Sequence, residues 1–218
     1  MIEILADNYG VLIGGAATTV VVSGMAIAIG MVLGLALAFG LLSHRAPLPA
    51  LCGFYRSFWR GTPILVQLLI VFYMLPQAGI DVAPLVAAIV ALSLNTAAFQ
   101  GEIYRAGLLA IPRGEIEAAR MLGIGKWTIR RRILIPQMFR LVLPPLTNEA
   151  IIILKNSSLV SVIAVTELMR RSQQIASTTF KPLEVYLIAG AIYLAVNLLL
   201  AQAGRRMERH MAIAGAQA

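Results

Sequence analysis

The sequence predicts an all-α integral membrane protein of five transmembrane helices, with its N-terminus outside and its C-terminus cytoplasmic. Three observations lead there. Of the 218 residues, 59% are hydrophobic and only 13% charged, against about 25% charged in soluble domains, and the mean hydropathy is +0.83. Five apolar runs are each long enough to cross about 30 Å of hydrocarbon at about 1.5 Å per residue. Fourteen of the eighteen Lys and Arg residues fall on one side of those runs, and cations accumulate in short cytoplasmic loops. The net charge of +8 therefore records topology before it suggests nucleic acid.

The first run, near 12–42, carries no charge. The "MIEILADNYG" before it lacks a basic n-region, and the run is too long for a signal-peptide core, so a retained and tilted span is expected. Its Gly30 and Gly34 form a small-xxx-small pair that admits a second helix at close range, unless the pair is a chance product of a glycine-rich span. Arg45, Arg56 and Arg60 mark a cytoplasmic connection to the second run, near 62–80. "LPQAGIDVAP" then turns the chain at Pro76, Gly79 and Pro84. The third run is near 84–108, the fourth near 138–163 and the fifth near 184–204. A polar connection at 166–184, helical in its first half, joins the last two on the outer side. Asn197 in the fifth run suits an interhelical hydrogen bond. Cys52 is the sole cysteine, which excludes an intrachain disulfide, and His44 and His210 lie too far apart in the chain to suggest a metal site.

Between the third and fourth runs lies a polar loop, 111–136, unusually rich in cations. Pro112 and Gly114 end the third run, and Glu115 opens a short helix with acid in its first turn. Ile116, Ala119 and Leu122, then Trp127, Ile129 and Ile133, give two short amphipathic faces. Gly123 and Gly125 separate them, where a left-handed residue ends one helix and redirects the chain, and Pro136 is expected to close the second. A helix-turn-helix for DNA has this length and central glycine, but it needs freedom to enter a major groove about 12 Å wide. Topology alone explains the charge but not the Glu-Ala-Ala face or the turn. A docking element for a cytoplasmic partner fits all three features. No phosphate-binding loop is present: "GIGKW" has Arg120 where the first glycine belongs and Trp127 where Ser or Thr must reach magnesium. Neither a nucleophile elbow nor a metal-ligand set occurs, which disfavours an integral-membrane enzyme.

Glu117-Ala118-Ala119, Gly123 four places later and the closing "LIP" resemble the EAA loop of bacterial ABC-importer permeases. "RGTPILVQLLIVFYMLP" (60–76), "LNTAAFQGEIYRAGLLAIPRG" (94–114), "PQMFRLVLPPLTNEAIIILKNSSLVSVI" (136–163) and "IASTTFKPLEVYLIAGAIYL" (175–194) are similar to the polar amino acid branch of that family. The resemblance implies a single type I ABC-importer transmembrane domain in the bacterial inner membrane. Two such subunits, identical or not, would form the pathway. Cytoplasmic ATPase subunits would bind the ATP, leaving this chain without a cofactor, and an outer binding protein would deliver an amino acid. Glu117, Ala118, Ala119 and Gly123 would then couple the permease to the ATPase. Asn156 departs from the family pattern, in which many members carry Asp.

Charge inside a span is costly and usually marks a pathway. Glu149 lies near the expected midplane of the fourth run, with Lys155, Asn156 and Ser157 beyond it and Asn95 and Thr96 central in the third. These six are the candidate substrate-pathway residues, although Glu149 and Lys155 could instead neutralise each other. One acid beside one cation suits basic or bulky polar amino acids. The competing readings are a membrane-tethered DNA-binding regulator using 117–133 and a passive channel or scaffold.

Overall fold

The computed structural model describes the backbone of residues 2–216 and the side chains of residues 3–210. Among the described residues every regular element is helical. Helix α1 (Ile2–Leu41) has 40 residues, so at about 1.5 Å per residue it is nearly twice the length a bilayer core requires. It begins well before the expected start at 12.

Helices α2 (Leu48–Gly61) and α3 (Ile64–Gln77) meet at 111°. The second span expected at 62–80 is thus the shorter α3, whose 14 residues reach only about 21 Å. Four helices are long and apolar enough to cross a membrane, and a fifth span arises only if the bent pair is taken as one. The break has a local cause. Proline pushes the residue before it out of the helical region, and Thr62, preceding Pro63, is extended at φ −114°, ψ 149°. Gln67, 1% exposed, clamps the bend by donating to the Trp59 carbonyl at 2.8 Å and to the Thr62 carbonyl at 3.0 Å.

Helix α4 (Pro84–Leu109) is the most buried of the long helices and packs along α1. A Cβ on Gly34 would lie 3.0 Å from Gln100 Cβ and 3.0 Å from the Gly101 nitrogen, and one on Gly30 would overlap Thr96 Cγ2. Reciprocally, a Cβ on Gly101 would lie 2.8 Å from Leu37 Cδ2. The small-xxx-small pair is therefore used inside the chain.

The loop contains α5 (Arg113–Met121) and a short α6 (Lys126–Thr128), followed by a π-helical stretch, Ile129–Leu134. This runs without a break into α7 (Ile135–Asn156) and a 3-10 segment, Ser157–Ile163. Pro136 therefore does not close a helix. It sits in the first turn of α7, and the wider π turns before it absorb the ring and the missing N–H that would disrupt a regular α-helix. Helix α8 (Leu168–Thr179) and the long α9 (Pro182–Ala216) complete the chain.

Three apolar clusters lie along α1. Leu12 packs with Leu168, Ile175 and Val185, Val22 with Leu68, Leu92 and Ile153, and Ala38 with Tyr104, Met138 and Val142. Close approach of α1 and α4 holds them in line. Gly34→Leu is expected to overpack that contact and destabilise the protein by about 1–3 kcal/mol. Gly24→Leu, where a Cβ meets nothing within 4 Å, should change stability by no more than about 0.5 kcal/mol. Thermal melts of the two variants in detergent check the difference.

Candidate functional site

Thr96, Gln100 and Tyr104 recur every four residues of α4 and so share one face. All three are buried, as is Glu149 opposite them on α7, at 5% exposure. The Tyr104 hydroxyl donates to Gln100 Oε1 at 3.3 Å. Gln100 Nε2 donates to Thr96 Oγ1 at 3.0 Å and to the Ile27 carbonyl at 3.4 Å. Thr96 Oγ1 donates in turn to Glu149 Oε1 at 2.9 Å. The ladder runs in one direction and ends on the carboxylate, and in low dielectric such chains polarise one another.

Lys155 is exposed, and among the described residues no ion pair joins it to Glu149. Asn156 is half-buried. Ser157 is buried at the point where α7 tightens into the 3-10 segment, and its hydroxyl donates to the Leu154 carbonyl at 2.7 Å. Asn95 faces the bend: its Nδ2 donates to Gln67 Oε1 at 2.7 Å and to the Trp59 carbonyl at 3.3 Å. Of the six candidates, then, Thr96 and Glu149 meet directly, while Asn95 and Ser157 are tied to backbone transitions.

Sequence reading missed Gln67, Gln100, Tyr104, Glu102 and Glu167. The spacing of Gln100 and Tyr104 from Thr96 was a usable signal, as was a lone Gln67 in an apolar run. Glu102 binds two cations, Arg56, which marked the first cytoplasmic connection, at 3.4 Å, and Arg105 on its own helix.

The second constellation is the loop. Gly123 has φ 73°, its N–H donates to the Arg120 carbonyl at 2.9 Å, and the Ile124 N–H donates to the Ala119 carbonyl at 3.1 Å. This is the paired capping pattern that ends a helix on a left-handed residue. Ala119 is buried while Glu117 and Ala118 are exposed. Leu122 and Trp127, grouped by spacing with the apolar faces, project outward at 79% and 71% exposure beside Met121 at 89%. Ile129 alone of the second face is fully buried. Large exposed apolar side chains of this kind mark a surface that meets another protein or the membrane. The second helix of the turn continues into a membrane span, which leaves no free recognition helix for DNA.

Residues 26–213 match the family model of the binding-protein-dependent transport system inner membrane component. The chain is 39% identical over 201 residues to an arginine transport system permease protein of Bacillus subtilis, covering 92% of each. It is also 39% identical over 207 residues to an octopine transport system permease protein of Rhizobium meliloti, covering 91% of this chain and 84% of that one. A solved structure described as an amino acid ABC transporter with histidines superposes with a TM-score of 0.86 at 35% identity, covering 94% of this chain and 96% of the other. The helices, the exposed loop and these likenesses agree, and the chain belongs to the family of binding-protein-dependent transport system inner membrane components.

Proposed function

We infer that this chain is the pathway-forming permease subunit of an ATP-driven amino acid importer, working by alternating access and preferring basic or bulky polar amino acids. The observation that carries the substrate class is Glu149: a carboxylate buried among helices and held by a hydroxyl, with no direct ion pair among the described residues and only the longer-range field of Arg60 acting on it. An ion buried in a span is costly until it is paired. A cationic substrate supplies the missing charge, and Thr96, fixed by Gln100, orients the acceptor. The arginine and histidine named for two of its likenesses are in keeping with this reading. Lys155 and Asn156, one turn or more beyond Glu149, are then within the same stretch of α7 for the substrate's carboxylate end.

ATP is bound and hydrolysed by separate subunits, and this chain supplies no catalytic group. In this scheme the loop docks on the ATPase through Glu117, Ala118 and Met121 of α5 together with the exposed Leu122 and Trp127 that follow it, and Ala119 anchors α5. A second permease subunit completes the pathway, and the outer connection containing α8 faces the binding protein. The orientation follows from the cation bias: loop and C-terminus cytoplasmic, N-terminus outside.

Three outcomes are expected. A topology reporter fused after Gly125 should read cytoplasmic and one after Ala176 periplasmic; the reverse result removes the loop from any ATPase. Gly123→Val should insert normally yet abolish coupled transport, because a β-branched residue with φ near +70° costs about 1–3 kcal/mol; uptake assays paired with expression levels decide this. Glu149→Gln should keep assembly and basal ATPase activity but lose uptake of arginine, lysine and histidine by about tenfold or more, the equivalent of about 1.4 kcal/mol. Normal uptake of all three by that mutant would make Glu149 structural.

A further inference from the structure

Two cavities open at the end of the molecule that carries the loop. One, of about 990 Å³, lies between the C-terminal third of α1, α2 and the start of α6. The other, of about 260 Å³, lies between α1, α4 and the loop. They share Phe39, Leu42, Lys126 and Arg130, so they form one continuous groove. Its larger part is at the upper end of the about 300–1,000 Å³ range of ordinary ligand sites.

The lining is segregated. The floor is hydrocarbon from the membrane-spanning helices, including Leu33, Ala36, Leu37 and Leu94. The rim is cationic, with Arg45, Lys126 and Arg130, and no Asp or Glu lines either cavity. Among the described residues these three cations make no ion pair. Arg130 is held in place by the floor itself: its Cζ lies 5.4 Å above the centre of the Phe39 ring. That cation–π contact parks a guanidinium at the boundary between apolar and polar lining. A ligand suited to this groove has an anionic head, apolar tails and access from the bilayer.

We propose that the groove is a binding site for an anionic diacyl phospholipid, whose phosphate meets Arg45, Lys126 and Arg130 and whose acyl chains lie along Leu33, Ala36 and Leu37. Basic pockets between membrane helices capture such headgroups, and the charge distribution excludes a zwitterionic lipid from equal standing. Because the site joins α1 and α2 to the first turn of the loop's second helix, a bound lipid braces the base of the coupling element against the membrane domain. The lipid site goes beyond the transport reading and does not depend on it; only the bracing of the coupling element rests on that reading.

The test uses the full-length permease in detergent, which has no sidedness, titrated with phosphatidylglycerol, phosphatidylcholine or glycerol 3-phosphate. Melting temperature and native mass spectrometry are read together. Phosphatidylglycerol is expected to raise Tm by about 4 °C or more at saturation and to be retained in the spectrum, while the other two probes do neither. Lys126→Glu/Arg130→Glu should weaken the effect at least about tenfold, the scale of one lost charge-assisted contact. Ala36→Trp, which fills the floor and leaves every cation in place, should do the same, and Arg209→Glu outside the groove should not. Several results would overturn the site. Equal response to phosphatidylcholine means a nonspecific annulus, and full response to glycerol 3-phosphate means a headgroup-only anion site. Retention of the effect in Ala36→Trp means surface charge alone. Cys52, the chain's single cysteine, lines the groove; efficient Cys52–Cys52 crosslinking in native membranes would put a second copy there instead. The importer reading fails or stands separately, on the reporter after Gly125.

Discussion

The closeness of α1 to α4 is the constraint on which the rest depends. Gly30, Gly34 and Gly101 bring the two backbones together where any larger side chain would collide with its neighbour. Within lipid there is little hydrophobic gain in joining two apolar helices, so the association rests on packing and on polar bonds between them. That closeness lets Gln100 reach across to the Ile27 carbonyl at 3.4 Å while still donating to Thr96. Thr96 then presents its hydroxyl to Glu149 on the third partner, α7. A small-residue seam thus fixes where the intramembrane acid can sit.

The same economy governs the bend between α2 and α3. A helix broken inside or beside a membrane leaves carbonyls without partners, and these must be satisfied by the protein. Gln67 and Asn95 do this together: both donate to the Trp59 carbonyl, and Asn95 also holds Gln67 Oε1. Tyr55, one turn earlier, donates to the Leu94 carbonyl at 2.6 Å. The bend is therefore clamped onto the residues immediately preceding Thr96. Its geometry and the position of the Thr96–Glu149 pair are linked through one stretch of α4.

What could be read from the sequence divides by range. The long apolar runs were legible because length and composition are local, and Gly123 because a left-handed turn residue declares itself by type. The Gly30–Gly34 pair announced a close approach but not its partner, since only the tertiary fold decides between α4 and a second copy. The expected 62–80 run corresponds to α3, and what hydropathy did not report is the bend at Thr62-Pro63 that joins α3 to α2, where conformational restriction outweighs polarity. Pro136 misled in the opposite direction: a rule for regular α-helices was overridden by a π-helical stretch. The Thr96–Glu149 bond joins residues 53 apart in the chain, and no periodicity reports such a pair. Leu122 and Trp127 fell on apolar positions, yet the structure leaves them outside, since amphipathic spacing alone does not say which protein supplies the core.

Two buried carboxylates differ in how far the chain itself satisfies them. Glu167, fully buried between α1, α8 and α9, accepts from the N–H groups of Met169 and Arg170, both at 2.8 Å, and from Tyr193 at 2.7 Å and Thr19 at 3.2 Å. Burial pushes its pKa up, and those four donors oppose the shift. As the N-cap of α8 it sits where the helix dipole and unpaired N–H groups favour an acceptor. Every donor belongs to the chain itself, so nothing is left for a ligand to supply. Glu149 is buried nearly as deeply but draws one hydroxyl, at the end of a ladder that points toward it. The chain thus concentrates its hydrogen-bond donors on Glu167, which fixes the connection between α7 and α8, and gives Glu149 on α7 a single hydroxyl.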